Sequence, residues 1–269
     1  MYEEISSPVE ALDKLLESPF KYFEFSCNHL EYWIKNGKSD EMIANIKEKL
    51  EDNKADLIQL HAPIFNFLED EAAEKKLNWC EDALELAGHF DIPWVVMHPG
   101  SREGWQEDEE LKEWVMEQNI EKFDRLLKVA EKEGTGIAVE NMFNHKFGSS
   151  VSELDWLLNQ FSTSNLGVCW DTGHANLVYE DQTKAFEEIK EKVVAVHIAD
   201  NRGEFDDHLY PLKGSIDWEK LIPALHSLKG VPFNFEVPGE RAQSPVEIRN
   251  LVVTYGYELA DWLSNNFNR

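Results

Sequence analysis

Six consecutive short apolar runs in the sequence each end in a histidine or a carboxylate. Each of these side chains offers a nitrogen or oxygen atom that a divalent metal ion accepts as a ligand. The loop after the fifth run adds one more carboxylate and one more imidazole. The residues at the run ends are His61, His98, Glu140, Asp171 with His174, His197 and Glu236, and the added pair is Asp206 and His208.

A shared cation is the interpretation that best explains this pattern. A single histidine at a strand end more often caps the strand or lies at the rim of the core. Asp171-x-x-His174 alone could be a turn with a side-chain hydrogen bond, and Asp206-x-His208 alone could be a solvated loop. However, the residues just before each run end are apolar, so an unpaired charge there would be costly to bury. One cation held by several of these groups removes that cost.

Short β-rich runs alternate with longer amphipathic stretches along the chain, which predicts repeated βα units and parallel strands. Eight such units indicate one (β/α)₈ TIM barrel domain over residues 1–269, because these barrels take roughly 250 residues. An open doubly wound sheet would show a Gly-rich turn after its first strand, whereas here Ser-Ser-Pro follows. The predicted strands are Tyr2–Ser6, Lys21–Cys27, Asp56–Ala62, Pro93–Gly100, Gly136–Met142, Leu166–Asp171, Val193–His197 and Pro232–Val237.

The predicted barrel places all of the run ends on one face. Side chains at the C-terminal ends of barrel strands converge on one mouth, where such enzymes carry out their chemistry. We therefore expect these residues to lie together as a metal site. Of the other histidines, His89 and His226 are expected on helix surfaces, while His29 and His145 are expected in loops on the mouth side. The first helix predicted after the second strand is Glu41–Asn53.

Composition limits the classes of partner. The chain carries 52 acidic and 26 basic side chains, a formal net charge of −26, which argues against unaided binding to nucleic acid. A hydrophobic content of 42% is enough for a large core, so a disordered chain is excluded. Three cysteines without a CxxC pair indicate a reducing compartment. No basic leader and no apolar run of about 18 residues is found, so we expect a cytoplasmic protein that does not use a membrane.

The motifs occur in the order H-A-P, H-P-G-S, V-E-N, D-T-G-H, H-I-A-D-N, D-x-H, I-D-W and F-E-V. This order resembles that of the xylose isomerase-like barrel superfamily, which contains sugar and sugar-phosphate isomerases and epimerases as well as endonuclease IV. The resemblance extends from His61 to Glu236, and only the first two βα units are vague. One departure is that the family often reads P-G-x-G-x-I-D-W where this chain has Leu212 in place of the first glycine, which removes easy access to positive φ.

The resemblance implies roles for individual residues. Glu140, Asp171, His197 and Glu236 match the four ligands of the single metal ion in the ketose epimerases. In that group Glu140 and Glu236 would also be the acid and base on opposite faces of the substrate, and His174 would contact the sugar. Endonuclease IV holds three zinc ions with these four ligands and five more. The five further ligands match His61, His98, His174, Asp206 and His208.

Two enzymatic hypotheses follow. The first is an isomerase or epimerase of a sugar or sugar phosphate that uses one divalent ion, Zn, Mn, Co or Mg. The second is an endonuclease IV-like phosphodiester hydrolase with up to three zinc ions. A metal-dependent dehydratase or lyase of a sugar-like acid, and a metal-binding barrel that has lost its chemistry, are further alternatives. The first hypothesis is favoured, because the basic residues of the mouth loops are scattered among many acids and do not form the basic footprint that a DNA enzyme needs. Assembly into a homo-oligomer stays open.

A set of mouth residues is expected to contact the substrate. Lys213 would suit a phosphate or carboxylate, although a solvated loop lysine is an equal alternative. Phe65, Phe143 and Trp170 are expected either to line a sugar-sized pocket or to pack within the barrel. The expected substrate-binding residues are His61, His98, His174, Arg202, Asp206, His208 and Lys213.

Overall fold

Seven parallel strands form one sheet in the computed structural model of the protein, which describes residues 6–64, 66–68, 72–237 and 244–266. Each strand pairs with the next strand along the chain, and the two end strands approach each other, so the sheet curls into a nearly closed barrel. The predicted first strand, Tyr2–Ser6, lies outside the described residues except for Ser6. The strands are β1 (Tyr22–Phe25), β2 (Asp56–His61), β3 (Trp94–Met97), β4 (Gly136–Glu140), β5 (Leu166–Asp171), β6 (Val193–Ile198) and β7 (Asn234–Phe235).

Helices follow the strands and pack around the barrel, which confirms the predicted alternation of strands and helices. No helix among the described residues is long and apolar enough to cross a bilayer. The helices are α1 (Pro8–Leu16), α2 (Cys27–Lys35), α3 (Asp40–Asn53), α4 (Ala73–His89), α5 (Glu109–Glu133), α6 (Val151–Leu158), α7 (Thr172–Val178), α8 (Gln182–Ile189), α9 (Trp218–Leu225) and α10 (Val246–Asn266), with a 3₁₀ turn at Lys190–Lys192.

Small and apolar side chains fill the inside of the barrel. One buried layer combines Val96, Ala138, Cys169 and Ala195 from four successive strands. At the start of β4, a Cβ atom on Gly136 would overlap the ring of Trp94, so the missing side chain makes room for the indole. The interior is therefore a packed core, and the ligand-type side chains of the sequence analysis come together above it, at the C-terminal strand ends.

The chain after β1 differs from the prediction. The predicted strand Lys21–Cys27 is wrong at its end, because β1 stops at Phe25 and α2 begins at Cys27. The Ser26 hydroxyl caps this helix by accepting a hydrogen bond from the backbone N–H of His29 at 3.4 Å. His29 is buried within α2, with Nε2 3.3 Å from the carbonyl oxygen of Ser6, and does not belong to a mouth loop.

The long loop after β6 is fixed by Asp200, a fully buried carboxylate. Asp200 accepts hydrogen bonds from the backbone N–H of Gly214 at 2.9 Å and from the indole N–H of Trp218 at 2.9 Å. A Cβ atom on Gly214 would overlap the Asp200 carboxylate, so glycine is required there. Leu212, in the position where the family often has glycine, adopts φ +72°, a strained value for a branched side chain. The loop thus keeps the glycine-type conformation without the glycine.

Candidate metal centre

Four side chains from four strand ends converge at the mouth of the barrel. Glu140, Asp171, His197 and Glu236 offer ligand atoms that all lie within 4.8 Å of one another. His197 Nδ1 lies 3.2 Å from Glu140 Oε1 and 3.2 Å from Glu236 Oε2. Zinc binds nitrogen and carboxylate oxygen at about 2.0–2.2 Å, so opposite ligands of one ion are roughly 4 Å apart. The spacing of these three oxygens and one nitrogen fits a single divalent cation.

Local hydrogen bonds orient Asp171 toward this group. Its Oδ1 accepts a hydrogen bond from the backbone N–H of His174 at 2.6 Å and caps α7, a short helix that the sequence analysis did not predict. The Asn141 side chain accepts from the Asp171 N–H at 2.6 Å and donates to the Asp171 carbonyl at 3.0 Å. Asp171 Oδ2 has no hydrogen-bond partner and faces His197 Nδ1 at 3.9 Å. One carboxylate oxygen therefore serves the fold, while the other is left for a ligand.

The opposite side of Glu140 faces two more histidines. Its Oε2 lies 3.0 Å from His98 Nε2 and 3.3 Å from His61 Nε2. A second candidate set consists of His61, Glu140 and His197. Glu140, fully buried, is thus shared between the four-residue group and the imidazoles on β2 and after β3.

A third cluster joins the start of α7 to the loop after β6. Asp206 Oδ2 lies 3.0 Å from His208 Nε2 and 3.4 Å from His174 Nε2. His174 Nδ1 contacts the Asn141 carbonyl at 2.8 Å, and His208 Nδ1 contacts the Glu236 carbonyl at 2.9 Å. A carbonyl can only accept, so these Nδ1 atoms carry hydrogen and the Nε2 atoms are directed at Asp206.

The charges of the site need a positive partner. Burial, together with the nearby carboxylates Glu236 and Glu140, raises the pKa of Asp171 to about 8, although His174 opposes the shift. Burial lowers the pKa of His61, but the nearby carboxylate of Glu140 outweighs it and raises the pKa to about 9. In the metal-free protein, a proton on His61 supplies part of that charge, whereas burial lowers the pKa of His98. A cation would replace such protons.

Several ligand-type atoms of the mouth are buried without a hydrogen bond. Buried polar atoms are nearly always paired, so a group of such atoms needs a physical reason. A cation bound by the four-residue group would pair with Glu140, Asp171 and Glu236, which supports the metal interpretation on the structure itself. The atoms without a hydrogen bond are His61 Nε2, Glu140 Oε2, Asp171 Oδ2, Asp206 Oδ1 and Glu236 Oε2.

Two of the residues expected to bind substrate lie apart from this group. Arg202 is exposed and pairs with Asp207 at 3.2 Å. Lys213 is also exposed, and its ammonium lies 4.6 Å from the ring centre of Tyr255 on α10. Both cations are therefore engaged by neighbours other than the nine ligand-type residues.

The aromatic candidates divide between the mouth and the outer core. The Phe143 ring lies 4.5 Å from the His174 ring and borders the site. Trp170 is fully buried and packs against Tyr179 and Phe186, so it belongs to the core between the sheet and its helices. Phe65 lies outside the described residues.

One residue of the site was missed by the sequence analysis. Glu24, in the middle of β1, places Oε2 2.8 Å from His197 Nε2. The Gln59 side chain donates a hydrogen bond to the same oxygen at 2.5 Å. The sequence did contain a signal for Glu24, because this carboxylate stands between Phe23 and Phe25. Alternate residues of a strand face opposite sides of the sheet, so Glu24 faces away from the side on which the two phenylalanines pack.

Comparisons with known proteins identify the family and agree with the fold. A family model described as xylose isomerase-like TIM barrel matches residues 12–253. The chain is 28% identical over 255 residues to the protein named probable endonuclease 4 of Aquifex aeolicus, covering 87% of this chain and 88% of that one. The crystal structure of a D-tagatose 3-epimerase-like protein superposes with a TM-score of 0.79 at 23% identity, over 99% of this chain and 96% of that chain, which shows the fold.

A further relative is matched only in part. The uncharacterized protein y4fM of Sinorhizobium fredii is 28% identical over 162 residues, which cover 60% of this chain. The same match spans 52% of y4fM, about half of that protein's length. The similarity therefore concerns a part of the barrel.

Proposed function

The chain belongs to the xylose isomerase-like TIM barrel family, and on that basis we propose that it is a divalent-metal-dependent isomerase or epimerase of a sugar or sugar phosphate. The observation that carries the proposal is the position of two carboxylates, Glu140 and Glu236. They come from separate strands, and each lies 3.2 Å from the same atom, His197 Nδ1. Two carboxylates beside one cation site are the groups that a proton transfer next to a carbonyl requires.

The four-residue group Glu140, Asp171, His197 and Glu236 would hold one ion. Three carboxylate oxygens and one imidazole nitrogen suit Zn, Mn, Co or Mg. When bound, the cation would act as a Lewis acid toward the carbonyl and neighbouring hydroxyl oxygens of the sugar.

The protein's own residues would move the proton. Burial by itself raises the pKa of Glu236, but the charge of His197 outweighs it and lowers the pKa to about 2, so Glu236 is ionised at neutral pH. One glutamate removes the proton from the carbon next to the carbonyl, and the other returns a proton, on the opposite face for an epimerisation. His174 would contact a sugar hydroxyl, and His61, His98, Asp206 and His208 would line the rest of the mouth.

A second candidate function is hydrolysis of a phosphodiester, as the name of the Aquifex aeolicus relative indicates for that protein. The specific observation in its favour is the cluster of His174, Asp206 and His208, which could hold a further ion beside the Glu140 group. The formal charge of −26 opposes it, since a nucleic acid substrate requires a basic footprint.

Metal analysis of the purified protein, followed by substrate assays, tests the proposal. We expect about one equivalent of divalent metal and turnover of a ketose or ketose phosphate that a chelator abolishes. Zinc content close to three equivalents, together with cleavage of an abasic-site oligonucleotide at ordinary salt, would favour the hydrolase instead.

A further inference from the structure

We propose that Glu24 is a positioning residue that holds the His197 ring so that Nδ1, and not Nε2, is presented to the metal. The inference rests on the proposed function, because it concerns how the chain prepares one ligand of that site. Glu24 itself lies on the far side of the imidazole from Glu140 and Glu236. It is therefore not counted among the ligands.

The contacts of the two ring nitrogens define the orientation of the imidazole. Nε2 lies 2.8 Å from Glu24 Oε2, while Nδ1 lies 3.2 Å from both Glu140 Oε1 and Glu236 Oε2. An ionised carboxylate only accepts hydrogen bonds, so contact with Glu24 keeps a proton on Nε2. Because Nδ1 faces the carboxylates of Glu140 and Glu236, it also carries a hydrogen in the metal-free protein. A bound cation would replace that Nδ1 hydrogen, while Glu24 would hold the remaining proton on Nε2.

His197 differs in this respect from other imidazoles of the mouth. His61, His174 and His208 each place Nδ1 against a backbone carbonyl, at 2.6, 2.8 and 2.9 Å respectively. Those rings are fixed by the main chain. His197 is fixed by a side chain whose negative charge also raises the basicity of the imidazole, an effect known for carboxylate–histidine pairs at metal sites.

Glu24 is in turn held by the neighbouring strand. Glu24 on β1 pairs in register with Gln59 on β2. The Gln59 amide donates to the same Oε2 atom that faces His197. Gln59 is 2% exposed, so the amide is held inside the barrel. The chain of contacts from Gln59 through Glu24 to His197 links β1 and β2 to β6 across the interior.

Metal affinity of variants tests the proposal directly. Glu24→Gln keeps the size of the side chain but removes its charge, and Glu24→Ala removes the contact as well. Titration with Zn²⁺ alone in competition with a chelator is expected to show about 10- to 100-fold weaker binding for both. Gln59→Met, which loosens Glu24 without changing it, should show a smaller loss. The matched control is Glu81→Gln, since Glu81 pairs with Arg125 between the outer helices.

Imidazole NMR separates a positioning role from a merely structural one. In the wild-type protein we expect the His197 Nε2–H proton at low field, and in Glu24→Gln we expect that signal to move while other imidazole signals stay. Wild-type zinc affinity in Glu24→Gln with an unchanged His197 spectrum would overturn the proposal. If the wild type binds no metal, the proposed function fails, yet the spectrum of the metal-free protein still decides whether Glu24 holds the ring.

Discussion

Asp206 Oδ2 lies 3.0 Å from His208 Nε2 and within 3.4 Å of a second imidazole, that of His174. One carboxylate oxygen thus faces two histidines whose other nitrogens contact backbone carbonyls. The relationship separates the two candidate chemistries. A hydrolase with several ions needs this cluster to hold metal, whereas a one-ion isomerase uses it to contact substrate.

For the isomerase we expect Asp206→Ala to leave the metal content at about one equivalent. The KM for the sugar should rise roughly tenfold, the effect of losing one hydrogen bond of about 1.4 kcal/mol to a charged group. Metal content by mass spectrometry and steady-state kinetics on the same sample give both values. Loss of one zinc ion from a protein that bound three would contradict the expectation.

Replacement of Glu236 by glutamine should lower kcat by about 10²- to 10⁴-fold, because one of the two proton-transfer groups is lost. Glutamine keeps the size and one oxygen ligand, so the protein should still fold. The kinetics are measured at saturating metal. Glu81→Gln, in the outer helical layer, serves as the unaffected comparison. Turnover that survives Glu236→Gln would exclude the two-carboxylate mechanism.

The metal-free protein should lose thermal stability as the pH rises. The pKa of His208 is raised to about 9, because the hydrogen bond to Asp206 outweighs the opposing effect of burial, and that of His61 is also raised to about 9. A histidine pKa raised above its unfolded value of about 6.5 stabilises the fold fully below that pH. The contribution is lost as the pH passes through 9.

Differential scanning calorimetry of the metal-free protein at pH 6 to 9 measures this change. We expect the Tm of the metal-free protein to fall across this range. The rise in Tm caused by added Zn²⁺ should become larger at higher pH, since fewer protons must be displaced when the metal binds. A Tm that stays constant from pH 6 to 9 would show that these imidazoles are not protonated in the fold.

Leu212→Gly should increase the free energy of unfolding. Leu212 is 52% exposed and adopts φ +72°, so glycine relieves backbone strain while little apolar burial is lost. Strain of about 1–3 kcal/mol is partly offset by the entropy of glycine in the unfolded chain, about 0.5–1 kcal/mol, which leaves a gain of up to about 2 kcal/mol. Urea unfolding measures the difference. Leu251→Gly, at an exposed position within α10, should instead destabilise by about 1 kcal/mol.

The site could be predicted from the sequence where it depends on strand ends. The C-terminal ends of parallel strands meet at one mouth, so residues such as His98 and Asp171 could be placed together without knowing any distance. The contacts that join His61, His98 and Glu140 follow from that rule.

Other features depend on information that a local pattern does not contain. Glu24 lies 173 positions from His197, and only the closure of the barrel brings the two together. Ser26 could have ended a strand or capped a helix, and in the structure it caps α2. Arg202 and Lys213 lie in a loop whose course is set by hydrogen bonds to Asp200, so their directions could not be inferred from the loop sequence.

The indole of Trp94, seated where Gly136 has no side chain, packs at the end of the barrel opposite the ligand-type residues. Glu140 and His197 are both fully buried, so a cation held by them would lie below a sugar that binds at the mouth. For the proposed isomerase, a sugar bound at the mouth would cover the cation, so we expect metal to load before substrate. Substrate should accordingly slow the escape of metal to a chelator.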